Sequence, residues 1–240
     1  MTPNLLDHLF VILVPGIVFP VIGYFAYQVF LERLAREGSA ALVREYQHTL
    51  VWLTGLGLGA MALWWGAGRD WAAMGLASGS ASGLALGIAM GALGGLALRP
   101  ILVAASPKAA ASMRRQFGKL EAILPRNGRQ LRWALLVSVF AGVFEELAYR
   151  GYLMAYFGSW LDQWGALAAS SLLFGLAHSY QGIRGVLLTG LIGALFGWVY
   201  LETGSLLLPM LLHAAIDISS MVTAWLVLRH EPEQAAEPQT

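Results

Sequence analysis

Residues 131–157 read LRWALLVSVFAGVFEELAYRGYLMAYF. A helix of about 20 mostly apolar residues crosses a bilayer core, because lipid offers the backbone no hydrogen-bond partner and a helix satisfies its own. The run is long enough, yet it holds Glu145, Glu146 and Arg150. Each ionisable group near the middle of a spanning helix costs roughly 2.5–3.5 kcal/mol on insertion scales, so such groups mark a polar cavity. Outward from this run, further apolar segments lie near 9–30, 48–66, 78–98, 164–181, 185–201 and 205–228. The sequence therefore predicts an all-α, polytopic membrane bundle of about seven transmembrane helices, with six to eight as the range. Composition agrees, since 58% of the 240 residues are hydrophobic and 12% are charged, against about 25% charged in soluble domains.

The expected organisation is an N-terminal group of helices over 1–130, a catalytic core over 131–228, and a disordered tail over 229–240. Within the first part, 105–130 is basic and carries Met113, Phe117, Leu120, Ile123 and Leu124 at helical spacing, which suits a helix lying on the membrane surface. With seven crossings, thirteen of the 15 basic residues share one side, and Arg69 and Arg150 are the exceptions. That bias places the N-terminus outside and the C-terminus in the cytoplasm. The first apolar run lacks a basic leader and exceeds a signal-peptide core, so it is expected to be retained. Trp64, Trp65, Trp71, Trp133, Trp160, Trp164, Trp198 and Trp225 lie near segment ends, as interfacial indoles do.

A net charge of +1 argues against nucleic-acid binding, and zero cysteines remove disulfides and thiolate chemistry. The expected partners are membrane lipids and a membrane-associated peptide or protein. Gly79, Gly83, Gly87, Gly91 and Gly95 recur every four residues. Such a stripe lets helix backbones approach closely, inside the bundle or, as the lesser alternative, in a homo-oligomer.

Charge is segregated. The second and third apolar segments contain no Asp, Glu, Lys or Arg, whereas the later ones carry Glu145, Glu146, Arg150, His178, His213 and Asp217. Glu146 and Arg150 are four apart and can pair on one helix face, as can His213 and Asp217. Three carboxylates against one guanidinium leave a buried charge of −2, so carboxyls are protonated or a divalent cation binds. His178, His213 and Asp217 with an open position would suit a zinc-like ion, and the spare glutamate would activate water. Without metal, Glu145 would still deprotonate water while the histidines stabilise the oxyanion. The residues alone leave both schemes open.

The run Glu145-Glu146-Leu147-Ala148-Tyr149-Arg150, then Phe174-x-x-x-His178, then Pro209-x-x-x-His213-x-x-x-Asp217, resembles the CPBP family of intramembrane proteases. That family includes CAAX prenyl endopeptidases and bacteriocin-processing or abortive-infection relatives. The resemblance covers about 133–225. It implies a helical bundle in which Glu145 activates water, and His178 and His213 bind metal or stabilise the oxyanion. Asp217, where many relatives have Asn, would complete that group, and Glu146 and Arg150 would hold the site together. The expected activity is hydrolysis of a peptide bond in a membrane-associated or lipidated peptide. H-E-x-x-H, the rhomboid G-x-S-G and the aspartyl G-x-G-D are all missing from the sequence. The alternatives are a non-catalytic scaffold or bacteriocin-immunity protein of the same fold, and a proton-coupled transporter. Clustering of intramembrane charge in one half, without inverted repeats, argues against the transporter.

Overall fold

The computed structural model describes residues 1–80 and 83–229. The chain is a bundle of helices, with no strand among the described residues. Its first helical run, Leu5–Glu37, joins α1 (Leu5–Leu13) to α2 (Gly23–Glu37) through a π-helical stretch, Val14–Ile22. Pro20 lies inside that stretch. It has no N–H to donate, and in an α-helix its ring would meet the carbonyl four residues back, so the wider turn accommodates it. There follow α3 (Ser39–Gly66), α4 (Gly83–Ala104), α5 (Pro107–Phe117) and α6 (Gly128–Glu146). A second π-helical stretch, Leu147–Leu153, continues α6 into α7 (Met154–Phe157), and α8 (Gln163–Ala177), α9 (Gly182–Thr203) and α10 (Leu207–Leu228) complete the bundle.

Five runs are long and apolar enough to cross a membrane: Leu5–Glu37, Ser39–Gly66, Leu86–Ala104, Ser179–Thr203 and Leu207–Leu228. The remaining two expected crossings are the run 128–157, which carries the charged residues, and the shorter apolar helix Gln163–Ala177. An integral membrane bundle is the architecture these helices make.

Several boundaries differ from the expectation. The segment near 164–181 is not one helix: α8 stops at Ala177, His178 caps it, a 3-10 turn follows, and Gly182 restarts the chain at φ 77°. At 1.5 Å per residue α8 is about 22 Å long, short of a hydrocarbon core of about 30 Å, so His178 sits at a helix end inside the protein. Nor is 105–130 a single surface helix. Gly118, at φ 49°, breaks it, and the chain turns back so that Leu124 is buried against Ala224 and Leu228. Trp64 is not interfacial but core, 1% exposed, with its indole N–H donating to the Asp70 carbonyl at 2.9 Å. The glycine stripe packs inside the bundle only at Gly79, where a Cβ would meet the Thr203 carbonyl and the Ser205 side chain. Gly79 precedes α4, and a Cβ at Gly83, Gly87, Gly91 or Gly95 would meet nothing within 4 Å. The expected disordered tail lies, beyond Arg229, outside the described residues.

One buried charge was missed by the sequence reading. Asp7, 1% exposed, accepts from both Arg69 amines, Nη1 at 2.8 Å and Nη2 at 2.5 Å, and from the Tyr152 hydroxyl. Its carboxylate also caps α1, accepting from the Asn4 backbone N–H at 2.7 Å. The cluster ties the start of the chain and the turn after α3 to the second π-helical stretch. His8 with Tyr156 (2.7 Å) and Ser159 with the Met1 carbonyl (2.7 Å) extend the seam. Removing one partner of such a pair strands a charge, whereas replacing both with apolar groups does not. Asp7→Ala is therefore expected to cost about 3–5 kcal/mol, lowering the thermal midpoint in detergent, and Asp7→Leu with Arg69→Met is expected to lose less than that single change.

Candidate active site

The site forms where α6 meets α10. Gly142, one turn before Glu146, lets the helices touch: a Cβ there would lie 2.8 Å from the Ala214 nitrogen and 2.9 Å from the Met210 carbonyl oxygen. The close approach brings His213 over Glu146. The Glu146 carboxylate, fully buried, accepts through Oε1 from His213 Nδ1 at 2.7 Å and from Arg150 Nη1 at 2.8 Å. Because a carboxylate only accepts, Nδ1 carries the proton and Nε2 faces the cavity. Nε2 is 3.6 Å from Glu145 Oε2 and 3.7 Å from Asp217 Oδ2. Those distances are long for direct hydrogen bonds and suit one shared water. Exposure grades across the group, with the side chains of Glu146 at 0%, Glu145 at 13% and Asp217 at 35%. Asp217 is therefore the most accessible member of the group.

His178 enters from the end of α8. Its Nδ1 donates to the Phe174 carbonyl at 2.8 Å, which leaves Nε2 with a lone pair in the neutral ring. The turn that carries it is fixed from outside, since Ser179 Oγ donates to the Pro20 carbonyl at 2.6 Å. The first π-helical stretch thus supports the turn that carries His178.

Two phenylalanines join these parts. The Phe174 ring lies 5.0 Å edge-on from His178, 5.9 Å edge-on from His213, and 4.2 Å beneath the Arg150 guanidinium. Phe196 stacks on His213 at 5.1 Å and lies 5.5 Å from Arg150. The spacing Phe174-x-x-x-His178 was legible, but nothing in the run 185–201 distinguished Phe196 from its apolar neighbours. A guanidinium held over an aromatic face gains cation–π attraction, which offsets part of its desolvation.

All six expected residues come to this region: Glu145, Glu146 and Arg150 from α6 and its π-helical continuation, His178 from the end of α8, and His213 and Asp217 from α10. The expected metal set fares differently. Each histidine donates through Nδ1, to Phe174 or to Glu146, and keeps Nε2 available, while no ready-made group of three His, Cys, Asp or Glu placed to hold an ion occurs among the described residues.

Residues 127–219 match the family model described as type II CAAX prenyl endopeptidase Rce1-like. The matched stretch is Rce1-like. It contains α6, α8, α9 and most of α10, and so every residue of the site. The resemblance carried by the three motifs is borne out, and the match supports an intramembrane endopeptidase of the CAAX-protease type. No curated protein and no solved structure matches the chain.

The geometry makes α6–α10 contact the sensitive dimension of the Rce1-like stretch. Gly142→Leu is expected to part the two helices, lowering turnover at least tenfold together with the thermal midpoint. Gly55→Leu, on an exposed face of α3 where a Cβ meets nothing within 4 Å, is expected to leave both near wild type. Equal behaviour of the two variants would contradict this reading.

Proposed function

We propose that the protein is an intramembrane endopeptidase that hydrolyses a peptide bond of a membrane-associated or lipidated peptide, using water activated by Glu145. One observation carries the reading: His213, fixed by Glu146 on one nitrogen, presents the other between two partly accessible carboxylates at 3.6 and 3.7 Å. A water bound there touches a base and a ring that can hold it.

In the reaction, Glu145 takes a proton from the water as its oxygen attacks the substrate carbonyl carbon. The carbonyl π electrons move to oxygen. His178, with a lone pair on Nε2, accepts from the same water and orients its attack. His213, carried as the imidazolium, donates from Nε2 toward the developing oxyanion, and Glu145, Glu146 and Asp217 supply its counter-charge. The sum over the cluster is then −3 from three carboxylates and +2 from Arg150 and His213. When the tetrahedral adduct collapses, the C–N bond breaks and Glu145 returns its proton to the leaving amine. The products are one carboxylic acid and one amine, and the enzyme is restored.

The substrate class follows from position. The site sits in a membrane bundle, with Asp217 its most accessible member, so a peptide held at the bilayer by a lipid or an apolar segment reaches it along the membrane. The crowding of basic residues supports an N-terminus outside and a C-terminus in the cytoplasm.

Purified protein in detergent is expected to cleave a prenylated or membrane-tethered peptide, with Glu145→Gln and His213→Ala each reducing kcat/KM by about 10³ or more, the scale at which base or oxyanion groups act. Equal turnover by all three would remove the mechanism. Binding without turnover by any of them would favour the scaffold reading. Excess chelator is expected to leave wild-type turnover within twofold, and a loss that a divalent cation restores would install the metal scheme instead.

A further inference from the structure

The site is rich in acceptors and poor in donors. As carboxylates, Glu145, Glu146 and Asp217 only accept, and His178 has committed its Nδ1–H to Phe174. His213 has committed Nδ1–H to Glu146, and Arg150 Nη1 is spent on the same oxygen. Arg150 Nη2 is uncommitted but walled in, since a Cβ on Gly193 would lie 2.9 Å from it and 2.9 Å from the Phe174 ring. An acyl-transfer site needs more than one donor at the oxygen that takes the charge.

Tyr149 holds a free donor. It follows Glu145 by four residues, about one helical turn, which puts the two side chains on one side of the run. The side chain is 1% exposed, and its ring meets Phe174 edge-on at 5.0 Å, the same ring that contacts His178, His213 and Arg150. The hydroxyl is buried with no hydrogen-bond partner among the described residues. A buried hydroxyl without a partner is destabilising, and phenylalanine would fill the same space without that penalty. Packing therefore does not explain the oxygen.

We infer that Tyr149 is a further catalytic residue, whose hydroxyl donates a hydrogen bond to the substrate carbonyl oxygen as it becomes the oxyanion. The proton stays on the phenol throughout, so no bond to Tyr149 forms or breaks. The inference rests on the hydrolytic reading above. It adds the second donor that His213 Nε2 alone does not supply.

The test is Tyr149→Phe, assayed on the same tethered peptide beside wild type and Glu145→Gln, with thermal midpoints measured in detergent. The expected result is a fall in kcat of about 10²–10³, as for loss of one oxyanion donor, with KM within twofold and a midpoint equal to or above wild type. Replacing Tyr149 with 3-fluorotyrosine, which keeps shape and alters donor strength, is expected to change kcat alone. Turnover by Tyr149→Phe within twofold of wild type overturns the inference while leaving Glu145 chemistry intact. A fall in kcat accompanied by a lower midpoint, with the fluorinated protein unchanged in kcat, overturns it in favour of a structural role. An inactive wild type would instead remove the hydrolytic reading beneath it.

Discussion

The carboxyl group of Glu146, wholly removed from solvent, is the constraint around which the rest is arranged. A lone carboxylate in a low-dielectric interior costs many kcal/mol, so it demands donors on its own oxygens. Two arrive at one atom, Arg150 from the next helical turn and His213 from α10. The two bonds to Oε1 do three things at once, although Oε2 is buried without a partner among the described residues. They lock α6 to α10, select the His213 tautomer, and turn Nε2 toward Glu145 and Asp217. A buried ion pair is weak as a source of net stability. Here its use is orientation, because the same bonds that neutralise Glu146 aim the imidazole.

The supports of that pair lie outside the matched stretch. Arg150 and Tyr152 sit in one π-helical segment, whose wide turn faces them to different neighbours: Arg150 to Glu146 and Phe174, Tyr152 to Asp7 and Arg69. The N-terminal helix thus reaches the site twice, through Asp7 at its start and through the Pro20 carbonyl that holds the turn after His178. Residues 1–130 contribute none of the six clustered residues, yet they brace two of the three segments that carry them.

Much of this was legible in the sequence for a physical reason. Lipid punishes unpaired charge so strongly that Glu145, Glu146, Arg150, His213 and Asp217 stood out from an apolar background, and helical periodicity paired them correctly. The apolar segments likewise announced their own number, since a bilayer imposes a minimum length. What escaped was whatever depends on distance in space. Asp7 lies near the start of the chain, and its partner Arg69 sits in a turn, where a charge is unremarkable. Trp64 looked interfacial because sequence reports proximity to a segment end, while burial is decided by which helices pack over it. The glycine stripe has the right period for close packing, but period does not say which side the neighbour is on, and at Gly142 a single glycine makes the contact that four others do not.

Metal binding depends on orientation in space in the same way. Two histidines and an aspartate are a plausible ligand set as a composition, but coordination requires lone pairs aimed at one point. Here each imidazole is oriented by a protein acceptor on Nδ1, the Phe174 carbonyl on α8 or Glu146 on α6, which fixes the tautomer and leaves each Nε2 available. An arrangement of this kind presents Nε2 to a small ligand such as water. It also explains why aromatic rings fill the space between the polar groups: Phe174 and Phe196 exclude bulk water and keep the charged groups apart in a low-dielectric wall, which strengthens every remaining electrostatic contact in the pocket.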